Sequence, residues 1–267
     1  MKGNQYERML YVKLLKDVNH NGTRLDYSDY LKYLEGEKNS SLRFLQEPTH
    51  WPIIPNLTKK VTKRGVYCPF RGDTLIFPVK EREAFVEIQR KLYRDVGESL
   101  AAPLDPEYFH ITLHDLNNEI DIHNKNKLSE LMSRSGNDVK RLFKKLATYF
   151  KKYPDQEKIK LKAIGFIGPP IGIAVLFAPS GERDFKLLLN LFNTFQSIVN
   201  LVDPLKPHLS LGYFLPEEPT KEIKLQISKA LSTTPKIELE LDIAELEYSE
   251  FTDMNHYTTK FKLKDFG

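Results

Sequence analysis

Two short stretches, His110-Ile111-Thr112-Leu113 and His208-Leu209-Ser210-Leu211, decide the interpretation of this sequence. In each, a histidine and a hydroxyl residue alternate with aliphatic residues, which is typical of a β-strand with one apolar face. The histidine and the hydroxyl group therefore lie on one face of the strand, and the aliphatic side chains attach the other face to the core. The sequence thus predicts two strands that each present an imidazole beside a hydroxyl group.

Both stretches follow an apolar strand and an amphipathic helix, in the same order. Thr74 begins the first predicted strand and precedes His110 by 36 residues, and Ile173 begins the second and precedes His208 by 35. This near-equal spacing favours two structurally related lobes whose histidine strands lie side by side across a cleft. The intervening helices are predicted at residues 81–100 and 181–200.

An imidazole and a hydroxyl group from each of two facing strands would suit in-line displacement at a phosphodiester. One neutral imidazole takes a proton from the attacking oxygen, and the other, protonated, gives a proton to the leaving oxygen. Histidine fits both tasks because its unperturbed pKa of about 6.5 makes both forms accessible near neutral pH. The hydroxyl groups hold the non-bridging phosphate oxygens, and the scheme calls for no metal and no other cofactor.

The paired motif resembles the signature of the two-histidine phosphoesterase superfamily, which includes RNA 2′,5′-ligase-like proteins and cyclic phosphodiesterases. The resemblance covers residues 65–263, most of the chain. Within it, Tyr67-x-Pro69-Phe70-x-Gly72-x-Thr74 resembles a poorly characterised bacterial branch of that superfamily. Ser210, where the other motif has threonine, is within the family pattern.

The resemblance implies an α+β, bilobal fold: two pseudo-symmetric lobes of antiparallel sheet, with helices outside and a central cleft. It also implies metal-independent hydrolysis of a cyclic or 2′-linked phosphodiester of a nucleotide or RNA end. The catalytic residues would be His110, Thr112, His208 and Ser210. The expected domain spans residues 61–267, with lobes near 61–157 and 158–267 and an exchange of strands between them left open.

Shorter local patterns predict the structure of the segments outside the two histidine motifs. Residues 1–60 are expected to form a helical extension outside the resemblance, with one helix ending at Gly36 and a second from Ser41 to Gln46. Trp51 is interpreted as a packing anchor. Polar residues 117–136 predict a long surface loop before a helix that starts at Asn137 or Asp138, and residues 236–250 predict one strand.

Four further residues are candidates for substrate contact. Strict alternation puts His114 on the face of His110 and Thr112, where it contacts substrate or lies exposed at the strand end. Tyr213 and Phe214 could stack on a base, with core packing as the alternative for each. Arg71 could reach a phosphate or be a surface arginine. The remaining histidines are interpreted as surface or structural residues: His20, His50, His123 and His256.

Composition narrows the function classes. The 267 residues are 40% hydrophobic, so the chain can bury a core, and its net charge of +4 is too small for a dedicated nucleic-acid binder. The lone Cys68 cannot form an internal disulfide, and no signal peptide or membrane-length apolar run is recognised, so a cytoplasmic protein with no membrane association and no obligate protein partner is expected. Residues 158–162 carry a lysine face that either steers an anionic substrate or faces the acidic residues 236–250.

Two other functions remain open at this point. A metal hydrolase could use His110, His114 and His208 as ligands, although the spacing of the first two matches zinc ligands on a helix rather than on a strand. A binding module could hold a nucleotide or RNA end without turnover. The exact substrate, the oligomeric state, the role of residues 1–60 and the division of acid and base between the two histidines are also open.

Overall fold

Two four-stranded antiparallel sheets carry the two histidine strands. The computed structural model describes residues 14–46 and 51–267. The α-helices are α1 (Tyr27–Gln46), α2 (Pro55–Thr58), α3 (Glu83–Val96), α4 (Lys125–Lys152), α5 (Glu182–Phe195) and α6 (Lys221–Leu231). The strands are β1 (Val18–His20), β2 (Thr23–Leu25), β3 (Gly72–Pro78), β4 (His110–Asn118), β5 (Lys158–Ile167), β6 (Gly172–Pro179), β7 (His208–Tyr213), β8 (Glu238–Asp242), β9 (Glu247–Asp253) and β10 (His256–Lys262).

The two sheets repeat one plan. The first has the strand order β10-β9-β3-β4 and the second the order β7-β6-β5-β8. In the first, β3 leads through α3 to β4, and in the second, β6 leads through α5 to β7, with each strand pair antiparallel. The predicted α+β class with two lobes of antiparallel sheet is confirmed.

The chain returns to the first sheet at its end. Residues 236–250, predicted as one strand, form β8 in the second sheet and β9 in the first, with a 3-10 turn at Ile243–Glu245 between them. Asp242 caps this turn by accepting a hydrogen bond from the Ala244 amide at 2.9 Å. The single-strand prediction is wrong because Ile243 and Leu246 are both fully buried at the crossing between sheets, where the chain must turn.

Helix α4 occupies much of the segment predicted as a loop. It begins at Lys125, where the Asn124 side chain accepts a hydrogen bond from the Lys127 amide at 3.0 Å. Leu128, Met132 and Val139 form a narrow buried stripe against the first sheet. The loop prediction for residues 125–136 is wrong because one such stripe suffices for a helix that packs on a single sheet face, and the rest of its surface is polar.

Helix α1 runs through Gly36, so the prediction of two helices separated there is wrong. Gly36 is exposed, and a Cβ atom at this position would meet nothing within 4 Å. The helix is held instead by Tyr30, Leu34 and Leu45, which are buried on one side of it. Residues 47–50, which follow the second predicted helix, lie outside the described residues.

The described residues before residue 60 pack on the second lobe. They include the β1–β2 hairpin, which the sequence analysis did not predict, with Asn21 and Gly22 at positive φ in the turn. The Tyr30 hydroxyl donates to the Leu205 carbonyl oxygen at 2.7 Å, just before β7. The prediction for Trp51 as a packing anchor is confirmed, since it is 2% exposed.

The lysine face of β5 lies opposite carboxylates. Lys158, Lys160 and Lys162 are exposed and pair in register with Asp242, Glu240 and Glu238 of the neighbouring edge strand β8. Lys158 forms an ion pair with Glu240. In the second sheet, β5 is separated from β7 by β6.

Within residues 14–46 and 51–267, no helix combines the length and hydropathy needed to cross a bilayer.

Candidate active site

The two histidine strands meet at a cleft between the sheets. β4 lies at the edge of the first sheet, β7 lies at the edge of the second, and the two strands contact each other. The cleft between them has a volume of about 200 Å³. All four residues of the paired motif line it: His110, Thr112, His208 and Ser210.

The two imidazole rings are held in the same way. Nδ1 of His110 donates to the carbonyl oxygen of Tyr108 at 2.6 Å, and Nδ1 of His208 donates to that of Lys206 at 2.7 Å. A carbonyl oxygen only accepts, so Nδ1 carries the proton in both neutral rings and Nε2 carries a lone pair. No residue in the described part of the chain hydrogen-bonds Nε2 of either ring. Each ring therefore keeps the nitrogen that can exchange a proton with substrate.

The pKa of His110 is lowered from its ordinary value of 6.5 to about 4. Burial is the main cause and the neighbouring His208 adds to it, against the opposing effect of the hydrogen bond to the Tyr108 carbonyl. The ring of Tyr257, from β10, lies 4.7 Å from the His110 ring between centroids and covers it. His110 is consequently neutral at neutral pH.

A β-bulge in β4 separates His114 from the motif residues. Thr112 pairs with Ile76 and His114 with Leu75, so Leu113 is an extra residue on β4. Beyond the bulge, each side chain points to the face opposite to the one that strict alternation predicts. His114 is buried, and Asp115 is exposed in the cleft. The prediction that His114 shares the face of His110 is wrong for this reason, and Asp115 takes the place expected for it.

The same bulge occurs at the equivalent position of β7. Ser210 pairs with Ala174 and Gly212 with Ile173, so Leu211 is the extra residue. The bulge places Tyr213 in the cleft, five residues after His208, as Asp115 lies five residues after His110. Tyr213 therefore lines the cleft, and its contact with a base stays a prediction. Its pseudo-symmetric counterpart, Asp115, is a carboxylate.

His114 belongs to the interior instead. Its Nδ1 donates to the Asp115 carbonyl oxygen at 2.7 Å, Nε2 lies 3.2 Å from Oε1 of Gln196, and its ring packs on Phe192. Burial lowers its pKa. The three histidines of the metal-hydrolase alternative therefore do not face one point, and among the described residues no group of three His, Cys, Asp or Glu side chains is arranged to hold a metal ion.

Comparison with known proteins finds a shared fold among solved structures. No protein-family model matches the sequence, and no curated protein matches it. A solved structure of a conserved protein of unknown function from Agrobacterium tumefaciens is similar with a TM-score of 0.56 and 14% identity, over 83% of this chain and 98% of that chain. This likeness shows that the two chains share a fold.

Two more solved structures are similar at lower scores. LigT of Escherichia coli complexed with 3′-AMP has a TM-score of 0.40 and 12% identity, over 72% of this chain and 97% of that chain. Usb1 of Kluyveromyces marxianus with uridine monophosphate has a TM-score of 0.37 and 8% identity, over 74% of this chain and 98% of that chain. The comparisons support the resemblance stated from the sequence at the level of the fold alone.

The fold does not bring Phe214 or Arg71 into the cleft. Phe214 is 1% exposed, and its ring packs edge-on against Trp51 with 5.0 Å between centroids. Its core-packing alternative is correct, and its proposed base contact is wrong, because the bulge directs Tyr213 rather than Phe214 to the cleft. The Arg71 guanidinium donates to Ser129 Oγ at 2.8 Å, on α4, and does not line the cleft.

The other histidines lie away from the motif. His20 is buried and its Nε2 donates to the Val202 carbonyl oxygen at 2.8 Å, which is a structural role. His123 is exposed, and His256 is exposed and pairs with Asp253. His50 lies outside the described residues.

Several residues of the cleft were not predicted from the sequence. The aromatic wall of the cleft comes from both halves of the chain: Phe70, Tyr108, Phe251 and Tyr257. Lys60, Asp105 and Asp115 supply charge, and Asn118 supplies an amide. No local pattern marks these residues, since Tyr257 reaches the cleft through the return of β9 and β10, and Asp115 reaches it through a bulge.

Proposed function

We propose that this chain is a phosphodiesterase that hydrolyses a cyclic or 2′-linked phosphodiester of a nucleotide or RNA end. The observation that carries the proposal is the matched pair of imidazoles. Both have Nδ1 tied to the carbonyl two residues earlier, and both keep Nε2 for a ligand in one cleft. A structural histidine has no need for this duplicated arrangement, whereas acid–base catalysis needs two such groups at one site.

His110 acts as the base in this proposal. Its pKa of about 4 keeps the ring neutral, so Nε2 accepts a proton from water as the water oxygen attacks phosphorus. The phosphorus–oxygen bond to the leaving group breaks on the opposite side. His208, protonated at Nε2, donates that proton to the leaving oxygen, and proton exchange with solvent restores both rings.

The hydroxyl groups of Thr112 and Ser210 stabilise the charge on the phosphoryl oxygens. Each lies two residues after its histidine on the same strand face and lines the same cleft. A hydroxyl group held by a strand is oriented before the reaction begins, so it stabilises developing charge with little reorganisation. Tyr257 limits access of water to the His110 ring.

Turnover by substituted proteins tests the proposal. Wild type, His110→Ala and His208→Ala are assayed with 2′,3′-cyclic nucleotides and 2′,5′-linked dinucleotides in the presence of a chelator. Each substitution is expected to lower kcat/KM by about 10²–10⁴-fold, the usual contribution of a general acid or base. His123→Ala, which removes an exposed histidine, serves as the matched control and retains activity.

Two results would contradict the proposal. Full activity in either His110→Ala or His208→Ala, with an unchanged circular dichroism spectrum, would remove that histidine from the mechanism. Nucleotide binding by the wild type with no turnover of any substrate would favour the alternative of a binding module.

A further inference from the structure

Lys60 is held at the cleft by its backbone. Its amide donates to the Leu57 carbonyl oxygen at 2.9 Å, and its own carbonyl oxygen accepts from the Cys68 amide at 2.9 Å. An antiparallel bridge between Val61 and Tyr67 closes the same turn of chain. The Lys60 side chain thereby lines the cleft of the two histidines.

The Lys60 ammonium has aromatic neighbours and no carboxylate partner within the described residues. Nζ lies 5.0 Å from the ring centroid of Phe70 and 5.7 Å from that of Tyr213. Aromatic faces stabilise a cation without using its three N–H donors. The side chain is half-buried, and its donors therefore remain available to a ligand in the cleft.

The opposite pseudo-symmetric position carries the opposite charge. Asp115 occupies on β4 the position that Tyr213 occupies on β7, and Lys60 lies over Tyr213. Asp105 also lines the cleft, where its carboxylate accepts a hydrogen bond from the Glu107 amide at 2.8 Å. The two pseudo-symmetric positions beside the histidine pair therefore differ: one presents a carboxylate, and the other an aromatic ring with an ammonium over it. A second anionic group of a substrate is repelled by Asp115 and attracted by Lys60, so the cleft orients an asymmetric substrate.

We infer that Lys60 binds a second phosphate group of the substrate, on the Tyr213 side of the phosphoryl group that lies between His110 and His208. The favoured substrate is accordingly a nucleotide with two phosphates rather than a cyclic mononucleotide. The second phosphate is either a terminal monoester or the next diester of an RNA end. The inference rests on the proposed function for the position of the first phosphoryl group.

Ligand binding tests this inference independently of turnover. Calorimetry at 0.15 M ionic strength compares adenosine 3′-monophosphate, adenosine 3′,5′-bisphosphate and an adenylyl dinucleotide with a 3′-phosphate. Wild type is expected to bind one or both of the latter two about 10–100-fold more tightly than the monophosphate, as expected for a charge-assisted hydrogen bond. Their order distinguishes a terminal monoester from an internal diester.

Matched variants assign the effect to Lys60. Lys60→Gln is expected to lose most of the preference for the second phosphate and to keep the affinity for the monophosphate. Lys60→Arg is expected to retain the preference. Lys59→Gln removes the same charge from an exposed neighbouring residue outside the cleft and is expected to behave as wild type.

The inference is overturned if wild type binds all three ligands equally, or if Lys60→Gln keeps the full preference. Turnover is measured separately with adenosine 2′,3′-cyclic phosphate and its 5′-phosphorylated form. A Lys60-dependent preference in binding with no turnover of either compound would contradict the proposed function and leave the second phosphate site standing. Turnover of either compound, with no Lys60-dependent preference in binding, would support the proposed function and contradict the second phosphate site.

Discussion

At the scale of single residues, the surroundings of the two imidazoles distinguish them, because both rings have the same tautomer. Both rings donate Nδ1–H to a carbonyl oxygen two residues earlier, so the same nitrogen is available in each. His110 differs because it is covered by Tyr257 and because burial lowers its pKa to about 4. His110 is therefore neutral near neutral pH, as a general base must be.

The pH dependence of kcat/KM follows from the lowered pKa of His110. A base must be neutral, and His110 protonates only near pH 4, so activity is expected to persist on acidification well below 6.5. The acidic limb of kcat/KM should lie near pH 4. If His110 were the acid, only its protonated fraction would be active, and activity would fall about tenfold per pH unit above pH 4. A limb near pH 6.5 would contradict the assignment.

At the scale of elements, the repeated bulge shapes the cleft. β4 and β7 each hold one extra residue after the hydroxyl position, so the fifth residue after each histidine faces the ligand. At the bulge of β7, Gly212 lies under the ring of Tyr93, whose hydroxyl donates to the Ala101 carbonyl oxygen at 2.9 Å. The close approach of Tyr93 to the strand requires a residue without a side chain.

Alanine at two glycines is expected to have opposite effects. A Cβ atom at Gly212 would lie 2.6 Å from Tyr93 Oη, so Gly212→Ala should lower the free energy of unfolding by about 1–3 kcal/mol through overpacking. Gly36→Ala, in the exposed middle of α1, should raise it by about 0.5–1 kcal/mol through helix propensity. Urea denaturation measures both.

These two variants can contradict different claims. Loss of stability in Gly36→Ala would show that the chain turns at Gly36, as two separate helices require. Unchanged stability in Gly212→Ala would show that Tyr93 does not pack against β7 as closely as described.

Several elements were predictable from local sequence, and others were not. β3, β7 and α5 fall where hydrophobic period and flanking breakers placed them, because each buries a face that the local pattern already defines. The first half of α4 was missed because its buried stripe is narrow and the rest is polar. The break between β8 and β9 was not predicted, because the chain passes from one sheet to the other there. Such a change depends on strand partners that lie far away in the sequence.

At the scale of the whole molecule, the crossing between the sheets is secured by a cluster of charges. Glu245 lies in the turn between β8 and β9, and its carboxylate pairs with Lys80, Lys262 and Lys264. Burial raises its pKa, but the hydrogen bonds from the three lysines outweigh burial and lower the pKa to about 2. The cluster joins the segment after β3 to β10 and the chain end.

Glu245→Gln is expected to lower the free energy of unfolding by about 1–2 kcal/mol, a modest figure because Lys80 and Lys264 are largely exposed. Because the folded-state pKa lies below that of the unfolded chain, near 4.5, the contribution of Glu245 is present above pH 4.5 and is lost as pH falls toward 2. Urea denaturation between pH 7 and 3 measures both effects.

Glu238→Gln, at an exposed position of the edge strand β8, is the control and should change stability by less than about 0.5 kcal/mol. Equal stability of Glu245→Gln and wild type at pH 7 would contradict the role of the cluster. A difference that stays constant down to pH 3 would contradict its electrostatic origin.

Alternation and spacing alone determined the chemistry carried by the two strands. Within four residues, a period of two fixes which side chains share a face, so the pairs His110 with Thr112 and His208 with Ser210 follow from the sequence. Only the tertiary structure decided what surrounds them. Asp115 and Tyr213 face the cleft because strand pairing admits an extra residue, and Lys60 and Tyr257 reach it from opposite ends of the chain. Such contacts join residues far apart in sequence, so no local pattern records them.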